Sequence, residues 1–171
     1  MKEKIAEQLK ATGKVRIVKT NALGIVTDDF EVPNVITTEG KKYIAAKMSG
    51  ATSGTYGATM SHMAIGNSTT AEAAGQNTIL GTGLTGSTLS GATTTPVTGV
   101  RKSLTVAGGT AANNQITFVG SFGSQEGVGA VTEAGIFNDA LAGTMLCRTT
   151  FSAVNKEAGD TISITWVVTI S

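Results

Sequence analysis

The last segment of the chain, TISITWVVTI, narrows the possible folds more than any other stretch. Ile162, Ile164, Trp166, Val168 and Ile170 fall on one face, and Thr161, Ser163, Thr165, Val167 and Thr169 on the other. Successive side chains leave a strand on opposite faces, so strict alternation of this kind marks a strand with one buried side. Three earlier runs repeat the pattern. VRKSLTV sets Val100, Lys102, Leu104 and Val106 against Arg101, Ser103 and Thr105, and QITFVGSF sets Ile116, Phe118 and Phe122 against Thr117, Val119 and Ser121. MLCRTTF sets Met145, Cys147 and Phe151 against Leu146, Arg148 and Thr150. The stretches GGTAANN, GSQEGVG, NDALAGT and NKEAGD between these runs are rich in turn-forming residues. Together they point to a mainly β fold, an antiparallel sandwich or barrel, of which a jelly-roll-like β-sandwich is the expected form.

The first part of the chain reads differently. Residues 2–11 place Ile5 and Leu9 four apart among lysines and glutamates, which predicts a short N-terminal helix ended by Gly13. KVRIVKT then alternates as a strand, with Val15 and Ile17 on one face, and NALG reads as a turn. GIVTDDFEVPN predicts a second strand, broken at Asp28-Asp29 and ending near Pro33. One further short helix is expected in TTEGKKYIAAKMSG, capped by Thr37 or Thr38 and stopped by Gly50. The organisation that follows is an N-terminal arm of residues 1–33 and a β-sandwich domain of residues 34–171. Residues 51–59 and 66–99 are dominated by Gly, Thr, Ser and Ala. The loop from Gly81 to Thr95 is too long for an idle connector and is placed at a surface that meets another subunit or partner.

Composition excludes several functions. With 171 residues there is room for one ordinary domain. A net charge of +1 argues against nucleic acid as a general partner, since such proteins carry a basic face that neutralises several phosphates. Nine of the thirteen basic residues lie between Lys2 and Lys47, but six acids lie among them. The opening MKEKIAEQLK is unlike a signal peptide, and no apolar run approaches the roughly 18 residues of a membrane span, so no membrane partner is expected. A lone cysteine, Cys147, can form neither an internal disulfide nor a cysteine zinc site, which fits folding in a reducing cytoplasm.

Reactive constellations are sparse. The only histidine, His62 in MSHMAIGN, has Cys147 as its only thiol partner, and the strand pattern turns that thiol toward the core, where thiols are inert. His62 is therefore expected as a half-buried strand residue with one ring nitrogen hydrogen-bonded, in the sandwich or at a subunit contact, where assembly would respond to pH. Asp28, Asp29 and Glu31 lack the spacing of a calcium loop and read as an exposed acidic turn. GTGLTG lacks the Lys-Ser/Thr pair of a phosphate loop. Glu133 shares a strand face with Val131 and Phe137, where an unpaired acid would be costly, and Arg148 across a hairpin is its expected partner in a structural ion pair. No catalytic, cofactor-binding or metal-ligating residue is expected, and no enzymatic activity.

The order of motifs also carries a resemblance. VPNVITTEGKKYIAAKM, MSHMAIGNSTTAEAAGQNTIL, ITFVGSF, VTEAGIFN, GTMLCRTTF and the closing KEAGDTISITWVVTIS resemble small structural proteins of tailed bacteriophages, over roughly residues 30 to 171. The block from EAGIFN to GTMLCRTTF and the Trp-centred last strand are its more specific parts. The resemblance implies a virion component built as a β-sandwich module around a symmetry axis, made in the host bacterial cytoplasm. The chain has no heptads or repeated strand pattern for a fibre stalk, so the expected role is a capsid decoration (cement) protein, a homotrimer bound to the major capsid protein. Ile5, Leu9, Val15 and Ile17 of the arm are its expected docking residues. The alternative is a small tail, collar, baseplate or fibre-tip protein, partnered by tail proteins, that contacts a host receptor.

Overall fold

The computed structural model describes residues 10–81, 83–85, 100–107 and 114–171. Among them are ten strands and one helix: β1 (Ala11–Thr20), β2 (Val26–Pro33), β3 (Val35–Ile36), α1 (Thr38–Met48), β4 (His62–Gly66), β5 (Val100–Ser103), β6 (Thr105–Ala107), β7 (Gln115–Phe122), β8 (Gly129–Phe137), β9 (Met145–Lys156) and β10 (Thr161–Ile170). They form two five-stranded sheets, ordered β2-β1-β10-β7-β6 and β3-β9-β8-β4-β5. Every pairing between named strands is antiparallel. The fold is mainly β and sandwich-like.

One core lies between the sheets. The first sheet contributes Val15, Ile17, Phe118, Phe122, Ile162, Ile164, Trp166 and Val168, and the second Met63, Ile65, Val131, Ala134, Ile136, Cys147 and Val154. The alternation of β10 is realised residue by residue, with Ile162, Ile164, Trp166 and Val168 all turned inward and buried. Each such aliphatic side chain contributes about 1.5–3 kcal/mol relative to remaining in water, which is why this strand occupies the middle of its sheet. α1 begins as its sequence suggests. The Thr37 hydroxyl accepts from the Gly40 amide at 2.8 Å, and Gly50 adopts a φ of +80° just beyond the helix. Thr37 also donates to the carbonyl of Met145 at 2.6 Å, which ties the helix start to β9.

Several expectations need correction. The helix of residues 2–11 falls almost wholly outside the described residues, but Ala11 and Gly13 belong to β1, so Gly13 is not a helix stop. Its missing side chain instead leaves room for Asn34, whose Oδ1 lies 1.9 Å from where a Cβ would stand. β2 is not broken at Asp28-Asp29, because both acids pair across to β1, Asp28 with Lys19 at 3.4 Å and Asp29 with Arg16 at 2.7 Å. β1 lies between β2 and β10, so residues 11–33 of the expected arm are part of the sandwich-like body and the boundary at residue 33 separates nothing. VRKSLTV is not one strand. It splits at Leu104 into β5 of one sheet and β6 of the other, with the Leu104 amide held by the Ser61 carbonyl at 2.8 Å.

Register shifts change which faces residues share. One lies between Val131 and Glu133 and puts Val131 in the main core, while Glu133 points to the opposite, outer face of its sheet. A second lies between Ile136 and Phe137, opposite Cys147 and Met145. It sends Met145 to the outer face with Phe137, while Leu146 and Cys147 join the main core. A bulge inserts an unpaired residue and so flips the alternation on one strand.

Candidate functional site

The outer face of the second sheet is the most elaborate polar site in the described residues. Glu133 on β8 and Arg148 on β9 are both fully buried there. Arg148 Nε donates to Glu133 Oε2 at 2.9 Å and Arg148 Nη2 to the same oxygen at 2.6 Å. The pair also holds the segment of residues 67–81, which crosses this face. Glu133 accepts from the backbone amides of Ser68 at 3.1 Å, Leu80 at 3.2 Å and Gly81 at 2.5 Å. Arg148 Nη1 donates to the Thr70 carbonyl at 3.0 Å and to Gln76 Oε1 at 2.8 Å. Gln76 in turn accepts from the Ala73 amide and donates to the Ala71 carbonyl. Beside this hub, Ile79 closes over Ala64, Phe137 and Met145 as a second, smaller apolar cluster.

This arrangement acts as a clamp. Both ends of the strap reach one carboxylate and its middle reaches one guanidinium, so the buried charges are paired and hydrogen-bonded together. Gly81 is required where the strap returns, since a Cβ there would stand 2.3 Å from the amides of Asn67 and Ser68. Chemically, the carboxylate is enclosed by five donors and has no exposure to solvent.

His62 opens β4 at the other end of this face. It is half-buried, and its Nδ1 lies 2.9 Å from the Ser61 hydroxyl. Burial holds the imidazole below the ordinary histidine range, with Asp139 pulling it up and Arg101 pushing it down. Arg101 stacks on the Phe137 ring with its guanidinium carbon 3.8 Å from the ring centre, and donates to the carbonyls of Asp139 and Ala142 at 3.1 and 2.6 Å. The Asp139 carboxylate is occupied by the amides of Leu141 and Ala142 at 2.8 and 2.9 Å, and these bonds hold it below the usual carboxylate range. Cys147 lies in the core between the sheets, and burial pushes its thiol well up. It is not turned toward His62.

The acids of β2 are spent on β1. Arg16 meets Asp29 through two nitrogens at 2.8 and 2.7 Å, Lys14 meets Glu31, and Lys19 is shared between Asp28 and Asp160. No group of three or more His, Cys, Asp or Glu side chains placed to hold a metal ion occurs among the described residues. No helix among them is long and apolar enough to cross a membrane.

Of the expected docking residues, Val15 and Ile17 must be withdrawn. Both are completely buried in the main core, where their contacts are with the facing sheet, so neither side chain is free for a partner. Ile5 and Leu9 lie outside the described residues, as does most of the loop from Gly81 to Thr95. Two surface features were not foreseen. An apolar groove of about 640 Å³ opens between α1 and the β6-β7-β10 edge, lined among others by Tyr43, Ile44, Met48, Val106, Ile116 and Ile170. The β1–β2 turn exposes Leu23, Ile25 and Val26 together, at 82, 57 and 54%. The second feature had a signal, since three aliphatics in one short turn are unusual. The groove had none, because its walls come from six separate parts of the chain.

No family model matches this chain, and neither a curated protein nor a solved structure does.

Proposed function

We infer that the protein is a structural component of a tailed-bacteriophage virion, and that it serves as a capsid decoration protein. The reading rests on the resemblance of its motifs to small phage structural proteins. The observation that carries it furthest is how the charged side chains are used. The charge on the outer face of the second sheet, at Glu133 and Arg148, is consumed in holding the strap of residues 67–81, as suits a protein whose work is to persist and to adhere. A jelly-roll-like sandwich is the finer fold that belongs with this reading, supported by chain crossings from one sheet to the other at β7–β8 and β9–β10. The proposed partners are further copies of the chain, as a homotrimer, and the major capsid protein. Ile5 and Leu9 remain the proposed docking residues at the N-terminus. No catalytic step is part of the proposal.

Quantitative densitometry of purified virions tests it. Hundreds of copies per particle support a capsid role. A handful per particle overturns decoration in favour of a tail, collar, baseplate or fibre-tip position, and absence from the particle overturns the virion reading altogether.

A further inference from the structure

The two apolar surface features lie at opposite ends of one sheet. β10 starts at Thr161, paired with Thr20 beside the β1–β2 turn, and ends at Ile170 in the wall of the groove. Ten residues of strand at about 3.3 Å each put the two features about 30 Å apart.

One feature is convex and rigid. Asn21 Oδ1 accepts from the amides of Leu23 and Ile25, both at 3.0 Å. The Asn21 amide donates to the Ile25 carbonyl and the Gly24 amide to the Asn21 carbonyl, each at 2.9 Å, with Gly24 at a φ of +79°. The turn is locked into a knob that holds Leu23 and Ile25 in solvent. The other feature is concave, with Met48, Val106 and Ile116 exposed along its walls at 74, 46 and 39%.

Their charges are complementary. Beside the knob stand Asp28, Asp160 and Glu157, the last two in the β9–β10 turn whose Gly159 packs on Ala22. Lys19 is shared by Asp28 and Asp160, and Lys156 turns its ammonium inward to the Gly123 carbonyl, so an acidic excess remains. The described lining of the groove carries no acid; its Lys47 donates to the carbonyls of Ala51 and Gly57, and the cation on the groove side is Lys41, which shares the helix face of Ile44 and Met48.

We propose that the groove receives the β1–β2 knob of a second copy of this chain, so that copies associate head to tail. Such a contact uses different patches on the two copies. It closes into a ring or extends into a filament according to the rotation at each step. It buries Leu23 and Ile25 of one copy against Met48, Val106 and Ile116 of the next, with Lys41 facing the acidic side of the knob. The proposal is independent of the virion reading.

The test is sedimentation velocity on the full chain from micromolar to near-millimolar concentration, with two variants. Leu23→Ser/Ile25→Ser blunts the knob and Met48→Glu/Val106→Thr spoils the groove, all at exposed positions, with circular dichroism and thermal melts confirming that each variant folds. The wild-type chain is expected to associate with rising concentration, and each variant to weaken association by about tenfold or more. An equimolar mixture of the variants is expected to form a one-to-one dimer and stop, because each pair retains one intact knob facing one intact groove. A wild-type chain that stays monomeric overturns the proposal. So does a groove variant that associates like wild type, which would indicate knob-to-knob contact, or a mixture that stays monomeric, which would indicate another occupant of the groove such as residues 1–9.

Discussion

Replacing Arg148 with methionine removes one half of the clamp while keeping much of its apolar length. Glu133 is then left buried with three amide donors from the strap and no countercharge. Breaking a fully buried pair on one side costs about 3–5 kcal/mol, because the remaining charge is desolvated without compensation. For a chain of 171 residues, about 2–4 °C of melting temperature per kcal/mol turns this into a drop of about 6–20 °C. Glu133→Gln strands Arg148 in the same way and falls in the same range. The double variant Glu133→Gln/Arg148→Met buries no net charge, so its cost should be smaller than the sum of the two singles, by about 1–3 kcal/mol. Urea denaturation measures all four chains. Amide hydrogen exchange adds the local readout: Ser68, Leu80 and Gly81 should lose protection in both single variants, while the amides of β10 keep theirs up to the reduced global stability. Additive costs within about 0.5 kcal/mol, or unchanged protection of those three amides, would refute the clamp.

His62 titrates below its ordinary range in the folded chain, so the unfolded chain binds the proton more readily. Stability is then complete above the unfolded value of about 6.5 and declines as pH falls through the lowered folded value, a slope that His62→Gln should remove from pH-dependent urea midpoints. Gly40 inverts a familiar rule. Gly→Ala inside a helix ordinarily stabilises by about 1 kcal/mol, but a Cβ at Gly40 would stand 2.0 Å from the Leu146 carbonyl oxygen, so Gly40→Ala should destabilise by about 1–3 kcal/mol in thermal melts. The Cys147 thiol should resist a disulfide reagent in the native chain and react only as fast as the protein unfolds. Fast native labelling would place it outside the core.

Much of the fold is legible locally. The alternation of Ile162 to Val168 and the Thr37 cap appear in the structure where their patterns put them. The Glu133–Arg148 contact could also be foreseen, because an acid amid apolar strand residues demands a partner and Arg148 was the basic residue nearby. What Glu133 does could not. Its other partners, Ser68, Leu80 and Gly81, are backbone amides 52 to 65 residues away, and a backbone amide leaves no mark in a sequence pattern. The misplacement of Val15 and Ile17 has a similar origin, since an alternating strand near the N-terminus reads the same in a docking arm as in a sheet interior.

The sequence by itself determined that segments such as β7 and β10 are strands and that α1 is a helix, because those choices depend on side-chain period and capping within a few residues. Only the tertiary structure decided that β1 lies between β2 and β10, that the chain changes sheets at Leu104, and that register shifts send Glu133 and Met145 to the outer face. A period of two specifies that two faces exist, but not which sheet a strand joins or where a bulge exchanges them. Those outcomes are set by pairing between residues far apart in the chain, where burial of the whole core selects one register over the alternatives.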